Sequence, residues 1–212
     1  MPPQEDPLLD IASAYDRTAD KWRASRPDAL YPSLARLLDV ALATVPPGAH
    51  VLDVGCGAAV PLTRALVARG YRTTGLDFSR ELLTIARREV PSATFVFGDM
   101  RSVTSHALGG PFECIVAWDS VFHVPRRDHA AVFARFASWL VPGGIILLSL
   151  GGSAGEFTSE MLGETFSYSS FEPAESLRLL ECAGFEVVHS EIDDPQSRGH
   201  FSIIATIPSR NG

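Results

Sequence analysis

Short apolar runs alternate with helix-length amphipathic segments through most of the 212-residue chain, and this alternation restricts the fold more than any other feature. Strands are expected over 50–54, 71–76, 94–97, 112–118 and 145–150. Helices are expected over 10–26, 32–45, 61–69, 79–89, 128–140 and 172–183, with stops at Pro27, Pro46-Pro47-Gly48, Gly70, Pro142-Gly143-Gly144 and Gly184. Strands joined through crossover helices run parallel, so the pattern predicts an α/β fold: a doubly wound, mostly parallel sheet with helices on both faces. The run 145–150 is almost wholly apolar, as a strand covered on both sides must be. Two last strands, 185–192 and 200–207, are separated by a segment too short for a crossover helix and are expected to be antiparallel. The reading is a single domain over 1–212. Helices over 10–45 cap it, the ligand-binding core spans 46–150, a long loop covers the substrate over 151–171, and a helix and hairpin close it over 172–207.

In an open parallel sheet, ligands bind beyond the carboxyl ends of the strands, where the strand order reverses. The first such segment, Val51-Leu52-Asp53-Val54-Gly55-Cys56-Gly57, leads from a strand through a glycine turn into a helix. Glycine lets the backbone turn tightly and approach a ligand with no Cβ in the way. Asp77 ends the second strand 22 residues after Gly55, where a carboxylate can accept hydrogen bonds from both hydroxyls of a ribose. A nicotinamide-dependent oxidoreductase would want a third glycine three residues after Gly57, but Val60 stands there, followed by Pro61. Charge excludes another class. The 18 Lys and Arg are outnumbered by 25 Asp and Glu, and the net charge of −7 argues against a nucleic-acid partner, which calls for a basic stripe.

These motifs resemble, in order, those of class I S-adenosylmethionine-dependent methyltransferases of the small-molecule type. The run 51–62 resembles their first motif and Gly75-Leu76-Asp77-Phe78-Ser79 their second. Gly98-Asp99-Met100 resembles the exit of the third strand, and Phe112-Glu113-Cys114-Ile115-Val116 with Trp118-Asp119 the fourth strand. Leu140-Val141-Pro142-Gly143-Gly144 and Ala183-Gly184-Phe185 resemble the turns before strands five and six. The resemblance covers 10–207 and implies a seven-stranded sheet with an antiparallel last strand, S-adenosylmethionine as cofactor and S-adenosylhomocysteine as product. It places Asp53, Gly55, Cys56 and Gly57 at the methionine end and Asp77 at the ribose. Phe78, Gly98, Asp99 and Met100 would border the adenine, and Trp118 would shape the pocket. Tyr15-Asp16-Arg17, followed by Ala19 and Trp22, resembles the family's cap helix, whose tyrosine lies near the sulfonium, and an aromatic face stabilises a cation. The alternatives are an NAD(P)-dependent oxidoreductase and a non-catalytic S-adenosylmethionine sensor.

Methyl transfer from a sulfonium is an in-line displacement that asks mainly for alignment and exclusion of water. A base is needed only where the acceptor arrives protonated. Asp119 and His123 are four apart after the fourth strand and share a face if that turn is helical, which makes His123 the candidate base and Asp119 its neighbour. Phe166 and Tyr168 in the long loop, and His200 in the terminal hairpin, are expected to border the acceptor, whereas Arg198 reads better as a solvent-exposed residue of the hairpin loop. The acceptor is read as a small molecule methylated on nitrogen or oxygen. Cys56, Cys114 and Cys182 lack the spacing of a zinc site and read as free thiols, so no metal is expected. No signal peptide or membrane-length apolar run is apparent, and a cytoplasmic monomer or homodimer is expected.

Overall fold

The computed structural model describes residues 7–192 and 199–209. Its elements follow in chain order as helices α1 (Pro7–Ser25) and α2 (Pro32–Leu42), strand β1 (His50–Val54), α3 (Leu62–Ala68), β2 (Arg72–Asp77), α4 (Arg80–Glu89), β3 (Thr94–Phe97), α5 (Ser105–Leu108) and β4 (Phe112–Ala117). A single 3-10 turn (Val121–His123) precedes α6 (Arg126–Trp139), β5 (Leu140–Gly151), β6 (Gly155–Met161), β7 (Glu164–Ser170), α7 (Pro173–Cys182), β8 (Glu186–Ile192) and β9 (His200–Thr206). Seven strands form one sheet in the order β3-β2-β1-β4-β5-β9-β8, and β6 with β7 forms a separate two-stranded sheet. Strands β1 to β5 pair in parallel, whereas β9 is antiparallel to both β5 and β8, so β8 runs parallel to β5.

The apolar strands are buried on both faces, and alternate residues serve different layers. In β1, Leu52 and Val54 join one core cluster while Val51 joins the other; in β4, Ile115 and Ala117 oppose Cys114 and Val116; in β5, Ile146 and Leu148 oppose Ile145 and Leu147. Period-two alternation of this kind explains why these runs are apolar throughout. Helix α1 carries Ile11, Tyr15, Ala19 and Trp22 at helical spacing and lays them on the first layer, with α4, α6 and α7. Helix α2 packs Leu34, Leu37, Leu38 and Ala41 on the opposite layer, beside Leu62 and Leu66 of α3. Helix α1 lies against the hairpin face, whereas α2 packs on the opposite layer.

The expected loop over 151–171 is instead the β6–β7 hairpin, paired from Gly155 with Ser170 to Met161 with Glu164. Its two-residue turn, Leu162-Gly163, has φ of 56° and 89°. Positive φ at both central positions is the geometry that matches hairpin twist. A leucine there costs strain and gives none of the usual Asn-Gly signal, which is why the turn reads as loop in the sequence. Strand β5 is also longer than expected, because the Val141-Pro142-Gly143-Gly144 turn is drawn into the sheet by the Gly143 N–H donating to Ile207 and the Ile207 N–H donating to Gly144.

Candidate functional site

The strand order reverses between β1 and β4, since the chain runs outward from β1 to β3 and returns on the other side. The loops that leave these two strands meet there. Gly55 has φ of 76°, and a Cβ built on it would stand 2.3 Å from Ser120 Cβ. Any side chain at 55 would therefore drive the two loops apart. Ser120 is held in place by donating its hydroxyl to the Val54 carbonyl at 2.8 Å. Gly57, with φ of 53°, faces the Trp22 indole. Cys56 packs its sulfur over Gly75, where a Cβ would meet it at 2.7 Å, and burial pushes its thiol well above the ordinary range. It fills a corner of the turn and is not poised as a nucleophile.

A cavity opens over this turn, walled by Asp53, Gly55, Cys56 and Gly57 from the first loop, Asp77 and Phe78 from the second, and Trp118 to Ser120 and His123 from the fourth. Tyr15 and Trp22 of α1, with Arg26 and Tyr31 beyond it, complete the wall. Two carboxylates are buried in it. Asp53 accepts a 2.6 Å bond from the Thr63 hydroxyl, and burial raises it to about 7. Asp77 accepts from the backbone N–H groups of Gly57 and Ser79, each at 2.8 Å, and burial raises it to about 6 despite those bonds. Ser79 caps α4 by accepting from Leu82 N–H, so Asp77 is not needed as the helix cap. Among the described residues no basic side chain bonds to either carboxylate. A buried acid without a cation is costly, and the cost is relieved by a ligand that brings positive charge or hydroxyl donors.

The cavity's other side is aromatic. The Tyr15 ring lies 5.2 Å from Trp22, 6.2 Å from Phe78, 5.6 Å from His123 and 4.7 Å from Phe166. Its hydroxyl is 2.8 Å from His123 Nε2, and His123 Nδ1 is 2.9 Å from the Ser167 carbonyl. A carbonyl only accepts, so Nδ1 carries the proton and Nε2 accepts from the Tyr15 hydroxyl. Burial pushes His123 down to about 4 and Tyr15 well above the ordinary tyrosine range, so both are neutral at physiological pH. Both ring nitrogens of His123 are engaged. The expected base therefore has no free lone pair to offer an acceptor; it holds the Tyr15 hydroxyl instead. Nor do Asp119 and His123 share a helical face. Asp119 has φ of 53°, outside any helix, and the 3-10 turn starts only at Val121. Asp119 is instead fixed by Ser149, whose hydroxyl oxygen accepts the Asp119 N–H at 2.8 Å, and its carboxylate turns toward His200, 3.5 Å from Nδ1.

Several expected residues sit elsewhere. Gly98, Asp99 and Met100 are not in the wall of this cavity: Gly98 N–H donates to the Asp77 carbonyl, Asp99 is paired with Arg101 at 2.7 Å, and Met100 is buried in the core. Phe166 is fully buried behind Tyr15 as a packing residue. Tyr168 stands outside the cavity wall in a row of rings, 5.2 Å from Phe157 and 5.5 Å from Phe122. Arg198 lies outside the described residues. Sequence reasoning misses Arg26, whose guanidinium lies 3.5 Å over the Trp22 ring and has no ion pair among the described residues. Its only signal is a place one helical turn past Trp22.

Comparison with known proteins agrees with the geometry. A family model described as methyltransferase domain matches residues 51–144. A ubiquinone biosynthesis O-methyltransferase of Xanthomonas axonopodis pv. citri is 32% identical over 185 residues, covering 78% of this chain and 75% of that one. A protein of the same description from Xanthomonas campestris pv. campestris is 36% identical over 135 residues, covering 60% of this chain and 54% of its own length, so the chain spans about half of that relative. Magnesium protoporphyrin IX methyltransferase from Synechocystis PCC 6803, solved with bound S-adenosylmethionine, superposes with a TM-score of 0.76 at 17% identity, over 98% of this chain and 100% of that one. That last likeness speaks to the fold.

Proposed function

The chain belongs to the methyltransferase-domain family of class I S-adenosylmethionine-dependent enzymes, and from that premise we propose that it methylates a nitrogen or oxygen atom of a small molecule, with S-adenosylhomocysteine as the second product. The observation that carries the reading is the pair of buried carboxylates, Asp53 and Asp77, facing a glycine cradle that no Cβ can enter. The donor supplies a methyl group on a positively charged sulfur. Asp53 suits its ammonium, Asp77 the ribose hydroxyls, and Phe78 a face of the adenine. Arg26 offers a charge for its carboxylate.

Chemistry from such a site is mostly placement. Tyr15, held by His123 and wedged among four rings, presents a neutral hydroxyl and aromatic edge to the wall where the sulfonium would lie. A ring near a cation contributes about 0.5–2 kcal/mol, depending on how dry the site is. Closing α1 and the hairpin over the cavity excludes water, which strengthens every such contact. The hairpin's exposed and half-buried aromatics support a small, flat acceptor over a macromolecule, and the net charge of −7 supports the same choice against nucleic acid.

Calorimetry with S-adenosylhomocysteine tests the donor site. Wild type should bind, and Asp77→Ala should weaken binding by about 10- to 100-fold, the loss expected for one or two hydrogen bonds to a charged group. Preferential binding of NAD would overturn the assignment. Incubation of the protein with a metabolite extract and methyl-labelled donor, read by mass spectrometry, then reveals the acceptor. Tight donor binding with no labelled product would favour the sensor.

A further inference from the structure

His123 leaves the site without its expected base, yet a second imidazole, His200, stands against two residues of the cavity wall, Trp118 and Asp119. His200 opens β9, directly across from Gly151 at the end of β5. Its Nδ1 is buried, makes no hydrogen bond among the described residues, and lies 3.5 Å from Asp119 Oδ1. Asp119 and its neighbour Trp118 line the cavity, and the Trp118 ring is 6.4 Å from that of His200. The side chain of His200 keeps 23% of its surface exposed, and no hydrogen bond from a described residue engages its Nε2. A carboxylate beside Nδ1 favours the Nδ1–H tautomer and leaves Nε2 with a free lone pair, the arrangement a general base requires. At 3.5 Å the contact is longer than a hydrogen bond, as such contacts often are before the substrate arrives.

The surroundings point to the acceptor. Phe157, Tyr168, Phe122 and His200 form a run of roughly parallel rings, with successive centroid distances of 5.2, 5.5 and 6.2 Å and interplanar angles of 14°, 35° and 25°. The run leads from the solvent-exposed Phe157 to the imidazole. The rings pack on one another at these spacings, so a flat acceptor would meet them at an end or edge of the row, beside the imidazole.

We propose that His200 is the general base of the reaction, that Asp119 is its positioning residue, and that the acceptor is a planar, phenol-like hydroxyl compound. The inference rests on the methyl-transfer reading above. In the step, the acceptor O–H proton passes to His200 Nε2 and the oxygen's electron pair forms the new bond to the methyl carbon. The carbon–sulfur bond breaks, its pair remaining on sulfur, and the imidazolium later returns its proton to water.

Two measurements test this. Long-range nitrogen–proton spectra of the imidazoles, taken with S-adenosylhomocysteine bound, should show His200 as the Nδ1–H tautomer and Asp119→Asn should shift it toward Nε2–H. Asp119 is the titratable group in contact with this ring among the described residues, and the spectra are repeated in His123→Gln as a control, which should leave the His200 tautomer unchanged. With catechol as acceptor, His200→Gln should lower kcat by about 100-fold or more, while affinity for S-adenosylhomocysteine stays within about twofold. The Asp119→Asn/His200→Gln double variant should be no slower than His200→Gln alone, since the two act as a unit. A His200 found as Nε2–H and unmoved by Asp119→Asn overturns the proposal, whether or not catechol is methylated. So does wild-type kcat in His200→Gln. Failure to bind S-adenosylhomocysteine would instead remove the methyltransferase reading itself, and the two failures are thereby told apart.

Discussion

Replacing Gly55 by alanine should damage the protein in a calculable way. The position has φ of 76°, and the new Cβ would lie 2.3 Å from Ser120 Cβ. An alanine held in the left-handed region costs about 1–2 kcal/mol. Carbon atoms pack at about 3.5–4.0 Å, so the β1 and β4 loops must separate by more than an ångström, and forced overpacking of this sort costs about 1–3 kcal/mol. Together Gly55→Ala should lose about 2–5 kcal/mol out of a total stability of about 5–15 kcal/mol. Urea unfolding reads that loss as a lowered midpoint with an unchanged slope. The clash and the strain can be separated. Ser120→Gly alone loses the 2.8 Å bond to the Val54 carbonyl, worth about 1 kcal/mol, but it removes the atom that the new methyl group would strike. The Gly55→Ala/Ser120→Gly double variant should therefore be more stable than the sum of the singles by about 1–3 kcal/mol. Both loops line the cavity proposed to hold the donor, so S-adenosylhomocysteine affinity of Gly55→Ala should fall as well, measured at a temperature where the variant is folded. A midpoint within error of wild type, or strict additivity in the cycle, would refute the reasoning.

Asp53 and Asp77 sit at about 7 and about 6 in the folded protein, above the ordinary carboxylate value of about 3.9. The folded chain thus holds protons that the unfolded chain releases, so this part of its stability is full below about pH 4 and is lost as pH rises through about 7. Urea titrations at pH 5 and 7.5 should show a shallower decline in Asp53→Asn than in wild type; equal declines would show that burial does not perturb Asp53. A cationic ligand prefers the ionised acids, so S-adenosylmethionine should bind more tightly at pH 7.5 than at pH 5.5 and release protons, seen as buffer-dependent calorimetric heats. Tyr15→Phe leaves His123 Nε2 buried without its 2.8 Å partner and should cost about 1–3 kcal/mol while keeping the ring; a thermal midpoint unchanged from wild type would mean the bond contributes nothing.

The core of the fold is readable from residues because it rests on local patterns. Strands β1 and β3 begin and end where apolar runs and turn residues say they should, and the antiparallel β8–β9 pair follows from a connection too short for a helix. The β1 turn and Asp77 come together as the spacing implies. What escapes depends on tertiary partners. The hairpin closes on Leu162-Gly163, a turn with no sequence signal. His123 reads as a titrating imidazole until Tyr15, 108 positions away, and the Ser167 carbonyl claim both its nitrogens. Asp99 reads as free for a ligand until the Arg101 side chain two residues on is seen folded back on it. Sequence spacing pairs Asp119 with His123, but the left-handed backbone of Asp119 breaks the helical turn on which that pairing relies, and its carboxylate turns toward His200 instead.

Helix α1 is tied down at adjacent residues to two different neighbours. Asp16 accepts from the Ser79 hydroxyl and the Glu81 N–H at the head of α4, while Arg17 forms a two-pronged contact with Glu164 of the hairpin. One lever therefore serves two doors. Any movement of α1 away from the cavity must break its contacts to the head of α4 and to the hairpin together, so the two elements are linked mechanically through one helix.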